Sequence, residues 1–274
     1  MASEAINYYK ISTSKSAKLY GICRKDIVKS SFANNKLNDD EKVIKDFALR
    51  YPCYGYRMIT SKLKLEGHSF NHKKVYRIYK KLGLDFKKGK KTRKIPARKK
   101  IFEIANNSNQ IWSLDFMTGK ILGRRFRTLN IIDEWAREAL AIEIMVSIPS
   151  KVVIEVLQQI INFYQRKPIA LRVDNGTEFT SYEFNHWAKD NEIALFYIQA
   201  GKPYQNCYIE RFNGTYRREV LNKYHFASLN EAREITDDWL YEYNYHRPHS
   251  SLNNLPPKLF LKQQNKLIFD NKKY

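Results

Sequence analysis

The spacing of apolar residues along this 274-residue chain changes character near residue 101. Beyond it, IWSLDFMTG (111–119), RFRTLNIID (125–133) and EALAIEIMVSI (138–148) predict three consecutive strands with short connections. SKVVIEVLQQIINFYQRK (150–167) has helical spacing with Ser150 as its cap, and PIALRVD (168–174) predicts a fourth strand. A helix over 181–193, a short strand over 194–200 and a helix over 205–222 follow. Three antiparallel strands and then alternating helices and strands predict an α/β layer architecture. Residues 229–243 predict a further helix, ahead of the loop-like NYHRPHSSLNNLPPK.

Before residue 101 the pattern predicts short helices. ISTSKSAKLYGICRKDIV (11–28) reads as a helix–turn–helix fragment with Gly21 at the break. YGYRMITSKLKLEG (54–67) carries Met58, Ile59, Leu63 and Leu65 and stops at Gly67. NHKKVYRIYKKLG (71–83) is capped by Asn71, has the stripe Val75, Ile78, Tyr79 and Leu82, and ends at Gly83. Its other face carries Lys73, Lys74, Arg77, Lys80 and Lys81. A tight turn before a basic helix is how a recognition helix meets a DNA groove, although an isolated basic helix is more often a solvated face.

Charge favours the DNA reading. The formal net charge is +21, and residues 1–100 hold 27 Lys and Arg against 8 Asp and Glu, while 101–274 hold 22 against 20. A polyanion partner follows, because neutralised phosphates release counterions. In FKKGKKTRKIPARKK (86–100), nine of fifteen residues are basic; it reads as an extended linker whose Lys90, Lys91 and Arg93 lie along phosphates, or as a localisation signal. The expected division is a basic helical region over 1–85 with a helix–turn–helix at about 51–84, the linker 86–100, a core over 101–225 and a C-terminal extension over 226–274. No stretch approaches the ~18 consecutive apolar residues of a membrane span. Cys23, Cys53 and Cys207 form no CxxC pair. Both facts lead to the expectation of a soluble protein in a reducing compartment.

Three carboxylates carry the candidate chemistry. Asp115 interrupts an otherwise apolar strand, where an unpaired carboxylate costs roughly several kcal/mol. Asp174 ends a strand; Asp-Asn-Gly is also a hairpin signal, but helix-spaced residues follow it, and strand ends are where open α/β sheets place ligand sites. Glu210 lies in the 205–222 helix, where Asn206, Glu210, Asn213 and Arg217 form a polar stripe beside the apolar Ile209, Phe212, Tyr216 and Val220. Each alone is as well explained as a turn, a satisfied core residue or a solvated face. Together they make sense as oxygen ligands for two hard divalent cations acting in phosphoryl transfer.

Thirty-five residues separate Asp174 from Glu210, and Arg217 stands seven beyond it. With WSLDFM (112–117), RVDNGTEF (172–179), GKPYQNCYIERFNGTYRREVLN (201–222) and YNYHRPHSSLNNLPP (243–257), the chain resembles the second-reading-frame (OrfB-type) transposases of two-frame bacterial insertion sequences. These share a DDE catalytic core and a ribonuclease-H-like fold with retroviral integrases. YPCYGYRMITSKLKLEGHSFNHKKVYRIYKKLGL (51–84) is similar to their helix–turn–helix segment. The resemblance implies that Asp115, Asp174 and Glu210 hold two magnesium ions, with manganese as a substitute. Water then frees a 3′-hydroxyl at the element's end, and that hydroxyl attacks target DNA. It further implies that Arg217 touches DNA, that Asn175, Glu178 and Asn213 support the site, and that Asp133 is the rival carboxylate. The implied partners are double-stranded DNA (terminal inverted repeats and target), a second copy of the chain and the first-frame product, in the bacterial cytoplasm at the nucleoid. No membrane is involved.

His68 and His72 have half of the integrase zinc spacing without a following CxxC, so no zinc module is expected. His246 and His249 read as structural or DNA-contacting. A catalytically silent DNA-binding regulator and a ribonuclease-H-like nuclease are the alternative functions.

Overall fold

The computed structural model describes residues 37–84, 103–199 and 201–271. The helix–turn–helix fragment expected within 11–28 and the linker with Lys90, Lys91 and Arg93 lie outside these described residues. The rest divides into two compact units, one from residues up to Pro52 together with those from His72 to Leu84, the other from Cys53–Asn71 and residue 103 onward.

The smaller unit pairs helix α1 (Asp39–Arg50) with helix α3 (His72–Lys81). The Asn38 side chain accepts the Glu41 N–H at 2.8 Å, and Asp39, Asp40 and Glu41 occupy the first turn of α1, where the helix dipole favours acids. Ile44, Phe47, Val75, Ile78 and Tyr79 are buried. Gly83 takes a φ of 65° just past α3, a left-handed stop that glycine adopts without strain. Lys74 of α3 pairs with Asp40, and Lys81 with Glu41 at 2.6 Å.

In the larger unit, helix α2 (Tyr56–Leu65) buries Ile59 and Leu63. Its Lys62, only 3% exposed, reaches Glu242 at 2.9 Å and the His246 carbonyl at 3.2 Å. The main body is a five-stranded sheet in the order β3-β2-β1-β4-β5. Its strands are β1 (Ile111–Ile121), β2 (Arg124–Asp133), β3 (Ala139–Met145), β4 (Ala170–Val173) and β5 (Ala194–Tyr197). β1, β2 and β3 pair antiparallel, whereas β4 and β5 run parallel to β1.

Alternation divides the sheet's faces. Trp112, Leu114, Leu129, Ile131, Leu171 and Val173 pack with helix α4 (Ser150–Tyr164), the short α5 (Thr177–Thr180) and α6 (Tyr182–Asp190). Met117, Phe126, Ile132, Ile142 and Ile144 pack with α7 (Cys207–Tyr216) and α8 (Leu229–Tyr245). Helix α9 (Pro257–Asn271) is tied down by Lys258, 2.5 Å from the buried Glu138, and by Phe260 against Trp135.

Several local expectations are corrected. Ser150 does not cap α4; Pro149 holds that position without a side-chain bond, and Ser150 opens the helix. The third strand ends at Met145 rather than 148. The helix expected over 205–222 comprises a 3₁₀ turn (Pro203–Asn206), α7, and a π turn over Arg217–Leu221. Glu219 within that turn is buried, accepting from Arg247 Nη2 at 2.9 Å and from Trp239 Nε1 at 3.0 Å. Such a clamp, made to residues far along the chain, gives a physical reason for the widened turn.

Candidate active site

Asp115 sits in the middle of β1, where its pairing with β4 stops and only β2 remains alongside. Ser113 pairs with Arg172 in the parallel register, so the same register carried two residues on brings Asp115 level with Asp174. Both then lie on the α7 side of the sheet, opposite Leu114 and Val173.

Among the described residues, Asp115 is held by two donors. Its Oδ1 accepts the Phe116 N–H at 2.8 Å, and its Oδ2 accepts Asn213 Nδ2 at 2.7 Å. Asn213, on α7, accepts in turn from Asn130 Nδ2 at 2.6 Å. Asn130 pairs with Asp115 across β1 and β2, so one amide ties the helix of Glu210 to both strands. Burial, with the charges of Asp174 and Glu210 adding to it, pushes the Asp115 carboxyl up to about 6. Its neighbours therefore include both other candidate carboxylates.

Asp174 answers the turn question in both senses. Its Oδ1 accepts the Gly176 N–H at 2.9 Å, closing an Asx turn, while Oδ2 makes no hydrogen bond among the described residues. A Cβ at position 176 would lie 2.9 Å from that Oδ1, so a larger residue there would press on the Asp174 carboxylate. Asn175 Nδ2 bonds the Ile198 carbonyl at 2.9 Å, linking this loop to the end of β5. Glu178 accepts from Arg127 at 2.5 Å, and the Arg127 guanidinium lies 4.3 Å above the Phe116 ring. Behind Asp174, Arg172 is neutralised by the buried Glu134 at 2.7 Å, so its charge is matched away from the aspartates.

Glu210 is exposed on α7, and partial burial raises its carboxyl. The polar stripe is not one solvent face: Asn206 and Asn213 are buried, Glu210 and Arg217 exposed. Arg217 begins the π turn and lines a cavity under the β1–β2 hairpin. Asp133 is removed as a rival. Fully buried, it accepts from Trp135 N, Ala136 N and Asn109 N at 2.9, 2.9 and 2.6 Å, and from Ser108 Oγ at 3.2 Å, so it is a satisfied structural carboxylate.

The donor set fits a hard cation: carboxylate oxygens that repel one another, with one carboxyl raised by burial and by the neighbouring acids. Among the described residues no three His, Cys, Asp or Glu are gathered into a metal-holding group as they stand. Glu210, on an exposed helix face, has the longest side chain of the three carboxylates and the most room to move.

Residues 105–203 and 191–257 match the integrase core domain family, and residues 36–94 match an HTH-like domain. An uncharacterized 31.7 kDa protein of insertion element IS407 from Burkholderia multivorans is 38% identical over 208 residues, 76% of this chain and 75% of that protein. The chain belongs to the integrase-core transposases of insertion sequences. A 39.2 kDa protein of insertion element IS476 from Xanthomonas euvesicatoria is 37% identical over 216 residues, 78% of this chain and 62% of that one. The transposase of insertion sequence IS629 from Shigella sonnei is 24% identical over 218 residues, 76% of this chain and 73% of that one. Membership makes the chain an enzyme of the polynucleotidyl-transferase type, with the mixed α/β integrase fold and the helix–turn–helix-like region expected from sequence.

No helix among the described residues is long and apolar enough to cross a membrane. Of the bases expected to meet DNA on α3, Lys73, Arg77 and Lys80 are exposed, and Lys74 and Lys81 carry the ion pairs to α1. Sequence reasoning missed Asn130 and Gly176. Asn130 gave the same signal as Asp115, a polar residue inside an apolar strand, between Leu129 and Ile131.

Proposed function

We propose that Asp115, Asp174 and Glu210 form the catalytic carboxylate set of a DNA cleavage and strand-transfer site for two divalent cations, magnesium with manganese as a substitute. The observation that carries this reading is the parallel register of β1 and β4, which brings Asp115 level with Asp174 on the α7 face, where burial and the neighbouring acids push the Asp115 carboxyl up. Bound there, the cations would activate the attacking water or 3′-hydroxyl and neutralise charge at the scissile phosphate.

The chain's own residues orient these ligands. Asn213 fixes one oxygen of Asp115, and the Gly176 N–H fixes one oxygen of Asp174, which steers the remaining lone pairs. Asn175 and Glu178 hold the loop that follows Asp174. Arg217 takes a phosphate of the adjoining DNA. Lys73, Lys74, Arg77, Lys80 and Lys81 of α3, with Lys90, Lys91 and Arg93, contribute backbone contacts to the same duplex.

In this reading the region up to about residue 85 grips DNA ahead of a catalytic core over about 101–225. The partners are the element's terminal inverted repeats, target DNA, a second copy of the chain to pair two ends, and a first-frame product. The setting is the bacterial nucleoid.

The test is joining of DNA ends into a target duplex with magnesium, run beside cleavage of an RNA–DNA hybrid. Joining without hybrid cleavage supports the transposase. Hybrid cleavage alone identifies a ribonuclease-H-like nuclease. DNA binding with neither reaction identifies a silent regulator.

A further inference from the structure

The turn joining β1 to β2 breaks a local rule. Leu122 and Gly123 both take positive φ, 43° and 83°, as a two-residue type I′ hairpin requires. Asn-Gly or Asp-Gly suits such a turn, whereas a branched apolar side chain at positive φ is an outlier. Leu122 is also 83% exposed, so packing offsets neither the strain nor the lost burial. Around this tip stand Lys120, Arg124 and Arg125, all exposed, and none of them forms an ion pair among the described residues. An apolar point inside a ring of cations suits a surface that is charged outside and apolar within.

Behind the turn lies a cavity of about 570 Å³ lined by Thr118, Lys120, Leu122, Arg217, Tyr224 and His225 among others, with no carboxylate in its wall. The segment after the π turn closes it, with Phe226 bridged to Ile121 and its ring 6.1 Å from that of Phe126. Tyr224 is 38% exposed. Both elements that carry candidate ligands run from the site to this cavity. Thr118 is three residues past Asp115, about 10 Å along a strand. Arg217 is seven past Glu210, about 10 Å along a helix. The cavity is thus roughly three base steps from the carboxylates, at about 3.4 Å per step.

We propose that Leu122, seven residues past Asp115 and so about 23 Å along the strand, is a wedge that enters the DNA duplex about seven base steps from the scissile phosphate, and that the cavity receives the displaced nucleotide, its phosphate on Lys120 and Arg217 and its base against Tyr224. Apolar side chains inserted between base steps unstack and kink DNA, and aromatic side chains accept bases of any sequence. The inference rests on the reading of the carboxylates at the other end of β1 as a DNA site.

The test uses the full chain and duplexes carrying the element's terminal repeat with 2-aminopurine about seven base steps to either side of the cleavage position, in chelator so that no strand is cut. The wild type should raise the fluorescence on binding. Leu122→Asn should leave it at the level of free duplex while raising the protein's melting temperature, because Asn suits the turn. Tyr224→Ala should weaken binding roughly 5- to 100-fold. A duplex already mismatched at that position should be bound equally by the wild type and Leu122→Asn. Duplex bound with unchanged fluorescence, or an equal rise with Leu122→Asn, overturns the wedge and leaves the strand-transfer reading standing. If the wild type binds no duplex, both fall.

Discussion

Asn213 Nδ2 donates to Asp115 Oδ2 at 2.7 Å while the same amide accepts from Asn130, so the helix bearing Glu210 is joined to the strand bearing Asp115 through one side chain. Asn213→Ala removes both bonds and leaves two buried polar groups without this partner. It should cost about 2–4 kcal/mol in urea unfolding and lower strand cleavage roughly 10- to 100-fold, as loss of a ligand's hydrogen-bond partner does at metal sites. Cleavage at the wild-type rate would show that Asn213 does not orient Asp115.

Asp115 trades stability for function. Its folded carboxyl is raised to about 6 from 3.8, so the folded state binds more protons than the unfolded state between those values. Stability therefore falls as pH rises through that window, and the cost is fully present at pH 7. In metal-free protein, Asp115→Asn should be more stable than wild type by about 1–2 kcal/mol at pH 7, and the gap should close towards pH 4. Urea titrations across that range check it. Added magnesium should narrow the gap by stabilising only the wild type.

His249 supplies an opposite slope. Burial, with the charge of Arg247, pushes its imidazole down to about 3, and the buried Nε2 has no hydrogen-bond partner among the described residues. The unfolded state takes the proton first, so this contribution is complete above about pH 6.5 and is lost as pH falls from there. By pH 5 the loss should reach about 2 kcal/mol. His249→Phe should flatten the slope between pH 5 and 6.5, measured by urea unfolding.

The π turn depends on a buried ion pair. Arg247 is held between Glu219 and the rings of Tyr54 and Tyr243. Arg247→Met should cost about 3–5 kcal/mol by stranding Glu219, and Arg247→Met with Glu219→Leu should cost less than either change alone. Thermal melts of the three variants decide this.

Much of the sheet could be read from the chain, because β1, β2 and β4 alternate or run apolar over whole strands and the carboxylates interrupt them. Asp174 could be placed at a strand end because helix-spaced residues follow Gly176. The π turn could not be read: its cause, the Glu219–Arg247 pair, spans 28 residues and leaves no local period. The same holds for α2, whose buried Lys62 looks like one more surface base until Glu242 and the His246 carbonyl meet it. Asp133 was the rival to Asp115 as sequence. Four donors on one and the charges of two acids beside the other separate them.

The most direct measurement is magnesium-dependent nicking and joining of DNA that carries the element's terminal repeats, by the wild type and by Asp174→Asn. Asn at 174 keeps the oxygen that accepts the Gly176 N–H, so the turn survives while the ligand charge is lost. Activity should vanish in the variant while its DNA affinity stays at the wild-type value. Equal activity in the two proteins would remove Asp174, and with it the three-carboxylate site.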